Sequence, residues 1–242
     1  NATPTVTRSR QDEEISPRLG VIYKPKENIS LYGSYSESFL PRSGGQFALV
    51  SSTSALLEPD IYESLEAGLK WDFALGLSVT AAYFQNEQTI DAAPDGAPED
   101  LERRGLEIDG FELQIEGQIS ERLYVKAGYA NLSGKTDDGR ELPRELPKNT
   151  VSIWSNYQVT DTFGLGLGAT YQDEAFVTDF DLPVQGQIGG NRTTHPTLPS
   201  FTRIDAAAYY DVHEDLRLQV NIENLTDTTY FPTSHSTHQA TV

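Results

Sequence analysis

The sequence contains no cysteine and no methionine among its 242 residues. Without cysteine there are no disulfides, no thiolate nucleophile and no Cys-ligated zinc or iron–sulfur centre. Without methionine there is no start residue, so the chain is expected to be processed or to be a piece of a longer one. Basic residues are scarce too: 18 Lys and Arg stand against 36 Asp and Glu, a formal charge of −18 with a pI ≈ 4.5. A chain this acidic repels phosphate backbones, which argues against a nucleic-acid partner. Long hydrophobic runs are missing. Mean hydropathy is −0.45, and no stretch approaches the ~20 apolar residues that a membrane helix needs. Alternating strands give no hydropathy peak, so a membrane β-barrel wall stays open. Residues 1–14 lack the apolar core of a signal peptide.

What the sequence does hold is aromatic side chains, 12 Tyr, 10 Phe and 2 Trp, and period-2 alternation. Ile61, Leu65, Ala67, Leu69 and Trp71 alternate with Tyr62, Ser64, Glu66, Gly68 and Lys70. Phe163, Leu165, Leu167, Ala169 and Tyr171 alternate with three glycines, Thr170 and Gln172, and Leu216, Leu218, Val220 and Ile222 with Arg217, Gln219 and Asn221. This spacing predicts strands with one apolar and one polar face. Ten follow, at about 17–24, 29–39, 61–73, 76–88, 105–118, 122–133, 149–159, 162–173, 201–212 and 215–227. In the fifth, the apolar positions change parity between Ile108 and Phe111, which reads as a β-bulge or a true start near Asp109-Gly110.

Connections alternate in length. Short turns fall at Pro25–Asn28, Ala74–Leu75, Ile119–Glu121, Thr160–Asp161 and His213–Glu214; long polar segments fall at 40–60, 89–104, 134–148 and 174–200. Strands of ten to thirteen residues with short turns at one end and long loops at the other are the pattern of an outer-membrane barrel. The fold class expected is all-β, a transmembrane antiparallel β-barrel with Tyr83, Tyr129 and Tyr171 in an interfacial girdle. A large soluble β-domain is the bland alternative. The first strand enters a short turn and the tenth leaves one, so the last strand ends at the long-loop side, where such barrels do not finish. The chain is therefore expected to be truncated.

The segment Asn221-Ile-Glu-Asn-Leu-Thr-Asp-Thr-Thr-Tyr230 resembles the N-x-x-N-L-x-D-x-x-Y signature of TonB-dependent outer-membrane receptors, with Asn221, Asn224, Leu225, Asp227 and Tyr230 matching and Thr226 departing from the usual Phe. Leu31-Tyr-Gly-Ser-Tyr-Ser-Glu-Ser-Phe39, Glu66-Ala-Gly-Leu-Lys-Trp-Asp72, Leu146-Pro-Lys-Asn-Thr150 and Leu198-Pro-Ser-Phe-Thr-Arg-Ile-Asp205 are similar to the same family in the same order. Phe39-Leu-Pro-Arg-Ser-Gly-Gly-Gln-Phe47 and Tyr230-Phe-Pro-Thr-Ser-His235 look most like its ferric catecholate siderophore receptors. The resemblance implies a 22-stranded barrel around an N-terminal plug. This chain would be roughly strands 12–21, without plug or last strand. It also implies a ferric siderophore as transported ligand, no covalently bound cofactor, energy from TonB, ExbB and ExbD, and contact with lipopolysaccharide and outer-membrane lipid.

A ferric catecholate is a bulky anion with aromatic rings, which cationic and aromatic side chains suit. Candidates at the loop end are Arg42, Gln46, Phe47, Arg103, Arg104, Arg140, Arg144, Arg192 and His195; loop arginines that merely pair with nearby acids are the alternative. His235-x-x-His238 has metal-ligand spacing but lies in a loop, and Asp173-Glu174 with Asp179 and Asp181 could hold Ca²⁺; solvated side chains are the simpler reading of both. Asp205 and Glu223 fall on the polar face as hydrogen-bonding wall residues. No catalytic residue is assigned. A small ten-stranded barrel enzyme, for which His195 with Asp179 or Asp181 is the sole pair worth naming, and a passive porin or adhesin barrel remain as alternatives.

Overall fold

The computed structural model describes residues 11–41, 57–73, 76–92, 102–136, 145–177, 182–183, 193–194 and 196–233; in 90–92, 102–104, 182–183 and 193–194 it describes the backbone alone. Ten long strands are present: β1 (Arg18–Lys26), β2 (Ile29–Leu40), β3 (Asp60–Asp72), β4 (Ser78–Ala92), β5 (Glu102–Ser120), β6 (Leu123–Thr136), β7 (Asn149–Gln158), β8 (Phe163–Gln172), β13 (Phe201–His213) and β14 (Leu216–Ile222). Between β8 and β13 lie four two-residue strands, β9 (Ala175–Phe176), β10 (Leu182–Pro183), β11 (Thr193–Thr194) and β12 (Thr197–Leu198). The long strands form one antiparallel sheet in chain order, β1-β2-β3-β4-β5-β6-β7-β8-β13-β14, while β9 pairs with β12 and β10 with β11. No described helix is long and apolar enough to cross a membrane, which leaves a β-barrel untouched. The sheet is not closed: β1 and β14 are its edges, and every residue of both is exposed.

Register fixes the faces. Glu66, Phe84 and Gly110 stand in one row, as do Gly68, Ala82 and Glu112, so even-numbered residues from β1 to β8 share a face. Gly168 stands opposite Asp205, and Asp211 opposite Arg217, so odd numbers take over that face in β13 and β14. It carries Tyr32, Glu66, Glu112, Lys126, Trp154, Arg203 and Arg217. The other carries Leu65, Leu69, Leu165, Leu167, Leu218 and Val220, all but Leu69 more than two-fifths exposed. A sheet whose apolar face stays exposed along its strands is the reverse of a soluble sandwich, where alternation buries the apolar face. The polar face is therefore the inward, wet one and the apolar face the lipid side.

The lipid side has edges. At the long-loop end Glu37, Glu63, Glu87, Glu107 and Lys135 stand directly opposite one another across five strands. Lys135 closes the row with an ion pair of 2.9 Å to Glu107. Tyr35 donates to Glu63 at 2.8 Å, and Gln85 to Glu87 and Glu107 at 3.0 and 3.1 Å. At the short-turn end Trp71 stacks on Phe73 with centroids 3.8 Å apart. From Glu63 to Asp72 a strand rising ~3.3 Å per residue and tilted ~40° climbs about 23 Å, close to the ~25 Å of an outer-membrane apolar band. The predicted girdle residues Tyr83, Tyr129 and Tyr171 all face this side, but Tyr83 stands opposite Ala67, midway between Glu63 and Trp71, and is not at an edge; Tyr129 donates to Asn149 at 2.9 Å and Tyr171 to Asp173.

Two further expectations need correction. No bulge sits at Asp109-Gly110: β5 pairs without a shift from Leu106 to Gln118 on β6 and through Gly110 on β4. Leu106 and Ile108 simply face inward, beside Asn86 and Gln88. The irregularities fall at the short-turn end instead, at Tyr23/Lys26, Gln118/Ser120 and Asp211/His213. The last strand ends at Ile222 and not near 227, because Asn224 and Asp227 take positive φ of 52° and 50°, which breaks the extended backbone.

Inward aromatics cover the glycines. Trp154 lies across Gly166 and Gly168, leaving no room for a Cβ at either, and donates from Nε1 to Asn156 at 3.0 Å. Tyr32 covers Gly68, and Phe84 with Leu132 covers Gly110, in the same way. A glycine strand with nothing to pack is weak; the neighbouring ring supplies the missing contacts.

Candidate ligand-binding wall

The inward face is a balanced polar wall. Tyr32 donates to Glu66 at 2.6 Å, and the Lys70 ammonium lies 5.8 Å from the Tyr32 ring centre. Tyr124 donates to Glu116 at 2.5 Å, and Lys126 pairs with the same carboxylate at 3.2 Å. Arg217 grips both oxygens of Asp211 at 2.5 and 2.9 Å. Between Tyr32 and Gln172 runs a recess of about 440 Å³ floored by small residues such as Ala82, Gly128 and Ser152, with Glu112 and Lys126 on its wall. Such a surface can hydrate and hydrogen-bond a passing or docked group. Among the described residues it brings together no nucleophile with an adjacent base.

At the loop end the wall carries a connected cluster built on Arg203. Arg203 donates from Nε and Nη2 to Oδ2 of Asp205 at 3.1 and 2.9 Å, and from Nη1 to the Tyr230 hydroxyl at 3.2 Å. The Tyr230 ring packs on Phe201 with centroids 4.9 Å apart. The other Asp205 oxygen accepts the Asn224 backbone N–H at 2.8 Å. Asn224 then closes its own turn, accepting from Thr228 N at 2.9 Å and donating to Thr228 O at 3.0 Å. Asp227 N donates to Asn224 O, and Leu225 N to Ile204 O. Positive φ suits Asn and Asp, whose side chains satisfy the backbone locally.

The predicted signature is thus brought together as one structural unit: Asn224, Leu225, Asp227 and Tyr230 all act in the reversal, and Asn221 accepts from Gln219 at 2.7 Å at the end of β14. Asp205 is a hydrogen-bonding wall residue, as its face implied; Glu223 is exposed. Arg203 and Phe201 received no role from the sequence, although the spacing Phe201-x-Arg203-x-Asp205 puts a ring, a cation and an acid on one strand face. Arg42, Gln46, Phe47, Arg140, Arg144, Arg192 and His195 lie outside the described residues, as do Asp179, Asp181, His235 and His238. Arg103 and Arg104 belong to the loop end of β5, opposite Asp91 and Ile90.

Asp173 binds within the protein. Its oxygens accept from Tyr171 and, at 2.6 Å, from Asn149 Nδ2. Those bonds, Tyr171 first, hold its carboxyl below the ordinary aspartate value. A folded-state value below the unfolded one stabilises above the unfolded pKa, and that contribution is lost as pH falls through the folded value. Asp173→Asn should therefore flatten the loss of stability below about pH 4, read from thermal unfolding against pH; an unchanged acid limb would refute it. Among the described residues, the His and acid atoms close enough to share a metal are those of His213, Glu214 and Asp215, within 4.8 Å of one another in the exposed β13–β14 turn.

Residues 1–225 match the family model described as TonB dependent receptor-like, beta-barrel. Over 97% of its length the chain is 29% identical to the probable TonB-dependent siderophore receptor PiuA of Acinetobacter baumannii, covering 33% of that protein. It is 30% identical to the probable TonB-dependent receptor BfrD of Bordetella pertussis over 96% of its length and 32% of BfrD. It is 26% identical to the catecholate siderophore receptor Fiu of Escherichia coli O157:H7, over 93% of its length and 30% of Fiu. The crystal structure of PiuA superposes with a TM-score of 0.72 at 27% identity, over 93% of this chain and 33% of PiuA. The chain spans about a third of the length of these relatives. An open sheet of ten meandering strands, apolar outside and polar within, is a section of the barrel wall those proteins share, and the chain belongs to the TonB-dependent receptor β-barrel family.

Proposed function

We propose that the chain is the wall section, approximately strands 12–21 of 22, of an outer-membrane receptor that binds a ferric siderophore at its extracellular face and imports it with energy supplied through TonB, ExbB and ExbD. The observation that carries the reading is family membership over residues 1–225, joined to the names of its relatives, one a siderophore receptor and one a catecholate siderophore receptor. The long-loop end faces outward from the cell, and a plug outside this chain fills the lumen. The catecholate type is the favoured ligand because its charge and rings match the loop-end set Arg42, Gln46, Phe47, Arg103, Arg104, Arg192 and His195. In a chain of formal charge −18, those cations are what draw an anion in. The row from Glu37 to Lys135 crosses the headgroup level of the lipopolysaccharide leaflet obliquely, because the strands are tilted.

The test is radiolabelled iron uptake by cells whose only siderophore receptor is the full-length protein. Saturable uptake of a ferric catecholate that disappears without TonB is expected, with uptake weakened when Arg42 and Arg192 are both replaced by Ala. Uptake independent of TonB would sink the transport reading, and uptake confined to hydroxamate siderophores would sink the ligand class.

A further inference from the structure

We propose that the N-x-x-N-L-x-D-x-x-Y segment is a register pin for the β13–β14 hairpin, acting in barrel assembly and not in ligand contact. The hairpin has a specific weakness. A one-residue slip would turn Leu216, Leu218, Val220 and Ile222 from lipid to lumen, which the two faces forbid. A two-residue slip keeps every face correct, and outward Ala206 and Ala208 pack about as well in either register. Hydrophobic patterning therefore leaves that slip open.

Two polar contacts close it, one at each end. At the turn end Arg217 stands opposite Asp211 and holds it with two bonds. A slip of two residues either way puts Arg217 opposite Tyr209 or His213, and neither is an acid. At the far end Asn224 N donates to Asp205. Slipping one way sets that N–H beside Arg203, donor against donor; slipping the other way sets it beside Ala207, which offers no acceptor. The Asn224–Thr228 turn and the seat of Tyr230 on Phe201 and Arg203 fix the height at which the reversal occurs. Because strand stagger and barrel size are linked, an error here would be passed to whatever strand pairs with the free edge of β14. The inference rests on the barrel fold and not on the ligand, so its failure leaves the proposed transport standing.

These 242 residues contain no cysteine, so introduced pairs stand alone within them, and any cysteine elsewhere in the full-length receptor is first replaced by Ser. In the full-length receptor in outer membranes, Tyr209→Cys with Gln219→Cys reports the native register, since those residues are directly opposite. Ala207→Cys with Gln219→Cys reports the slip in one direction and Tyr210→Cys with Val220→Cys the slip in the other, because in the native register each pair is diagonal, ~7–8 Å apart and beyond ordinary disulfide reach. The unsubstituted signature should close the first pair alone. Asn224→Ala keeps the backbone N–H that Asp205 accepts but removes the two side-chain bonds to Thr228 that hold that N–H in place; it should raise the slipped cross-links about tenfold, as expected for losing a pair of hydrogen bonds, and Tyr230→Phe should raise them less. Ferric-catecholate binding by the assembled fraction should not change. A single native cross-link with binding lost would overturn the proposal in favour of a recognition role. If Asn224→Ala leaves no barrel, Asn224→Gly keeps the positive φ and removes only the side-chain bonds. Cross-links in both registers then support the pin, whereas the native one alone, or no barrel, overturns it.

Discussion

Replacing Leu167 with Arg should cost the barrel about 2–4 kcal/mol, the penalty for a cation on the lipid side near the bilayer midplane. Leu167 lies mid-strand on β8, between Ser155 and Ala206, and is 56% exposed. In water such an exposed leucine would accept a charge at almost no cost. Only a hydrocarbon environment makes the substitution expensive. The control is Ser152→Arg, which points an identical side chain into the wet recess and should stay within about 0.5 kcal/mol of the parent. Urea unfolding of both variants of the full-length protein in lipid vesicles reads the difference. A costly Ser152→Arg beside a neutral Leu167→Arg would reverse the faces and return the chain to the soluble β-domain alternative.

Arg203→Ala should be nearly as damaging, for a different reason. The guanidinium side chain is 29% exposed and the Asp205 carboxylate 15%, so the pair is neither fully buried nor on the surface. Removing the cation strands a mostly desolvated carboxylate and leaves the Tyr230 hydroxyl without its donor. Fully buried pairs lose about 3–5 kcal/mol on such a change; partial solvation here brings the expected loss to about 2–3 kcal/mol. Lysine keeps the charge but cannot span two acceptors, so Arg203→Lys should recover less than half. Equilibrium unfolding gives both numbers, and an unaffected Arg203→Ala would mean that Phe201 and the turn hold Tyr230 unaided.

The strands were legible because period 2 is written directly into residues such as Leu165, Leu167 and Ala169 against Gly164, Gly166 and Gly168. Alternation says that two faces exist without saying which is wet. The parity change in β5 was misread because Leu106 and Ile108 are apolar residues on a polar wall, and a pattern of hydrophobicity cannot distinguish a flipped strand from a changed neighbourhood. The candidate site was less legible. The signature was visible as a motif, but its meaning depends on contacts nineteen or more positions back in the chain, at Asp205, Arg203 and Phe201. Nothing local in Asn224 or Tyr230 announces those partners. Asn and Asp at positions needing positive φ were the readable clue to the early end of β14, and the regular Leu-x-Leu-x-Val-x-Ile run before them masked it.

The chain's two tryptophans fall on opposite sides of the sheet, Trp71 stacked with Phe73 at the lipid edge and Trp154 laid over glycines within. Their emission can therefore be separated by the medium that quenches it. Brominated acyl chains reach the first indole and leave the second; aqueous acrylamide enters the lumen and does the opposite. Once any tryptophan outside these 242 residues is replaced, this stretch of wall carries a pair of optical labels, one for insertion into the bilayer and one for whatever occupies the channel.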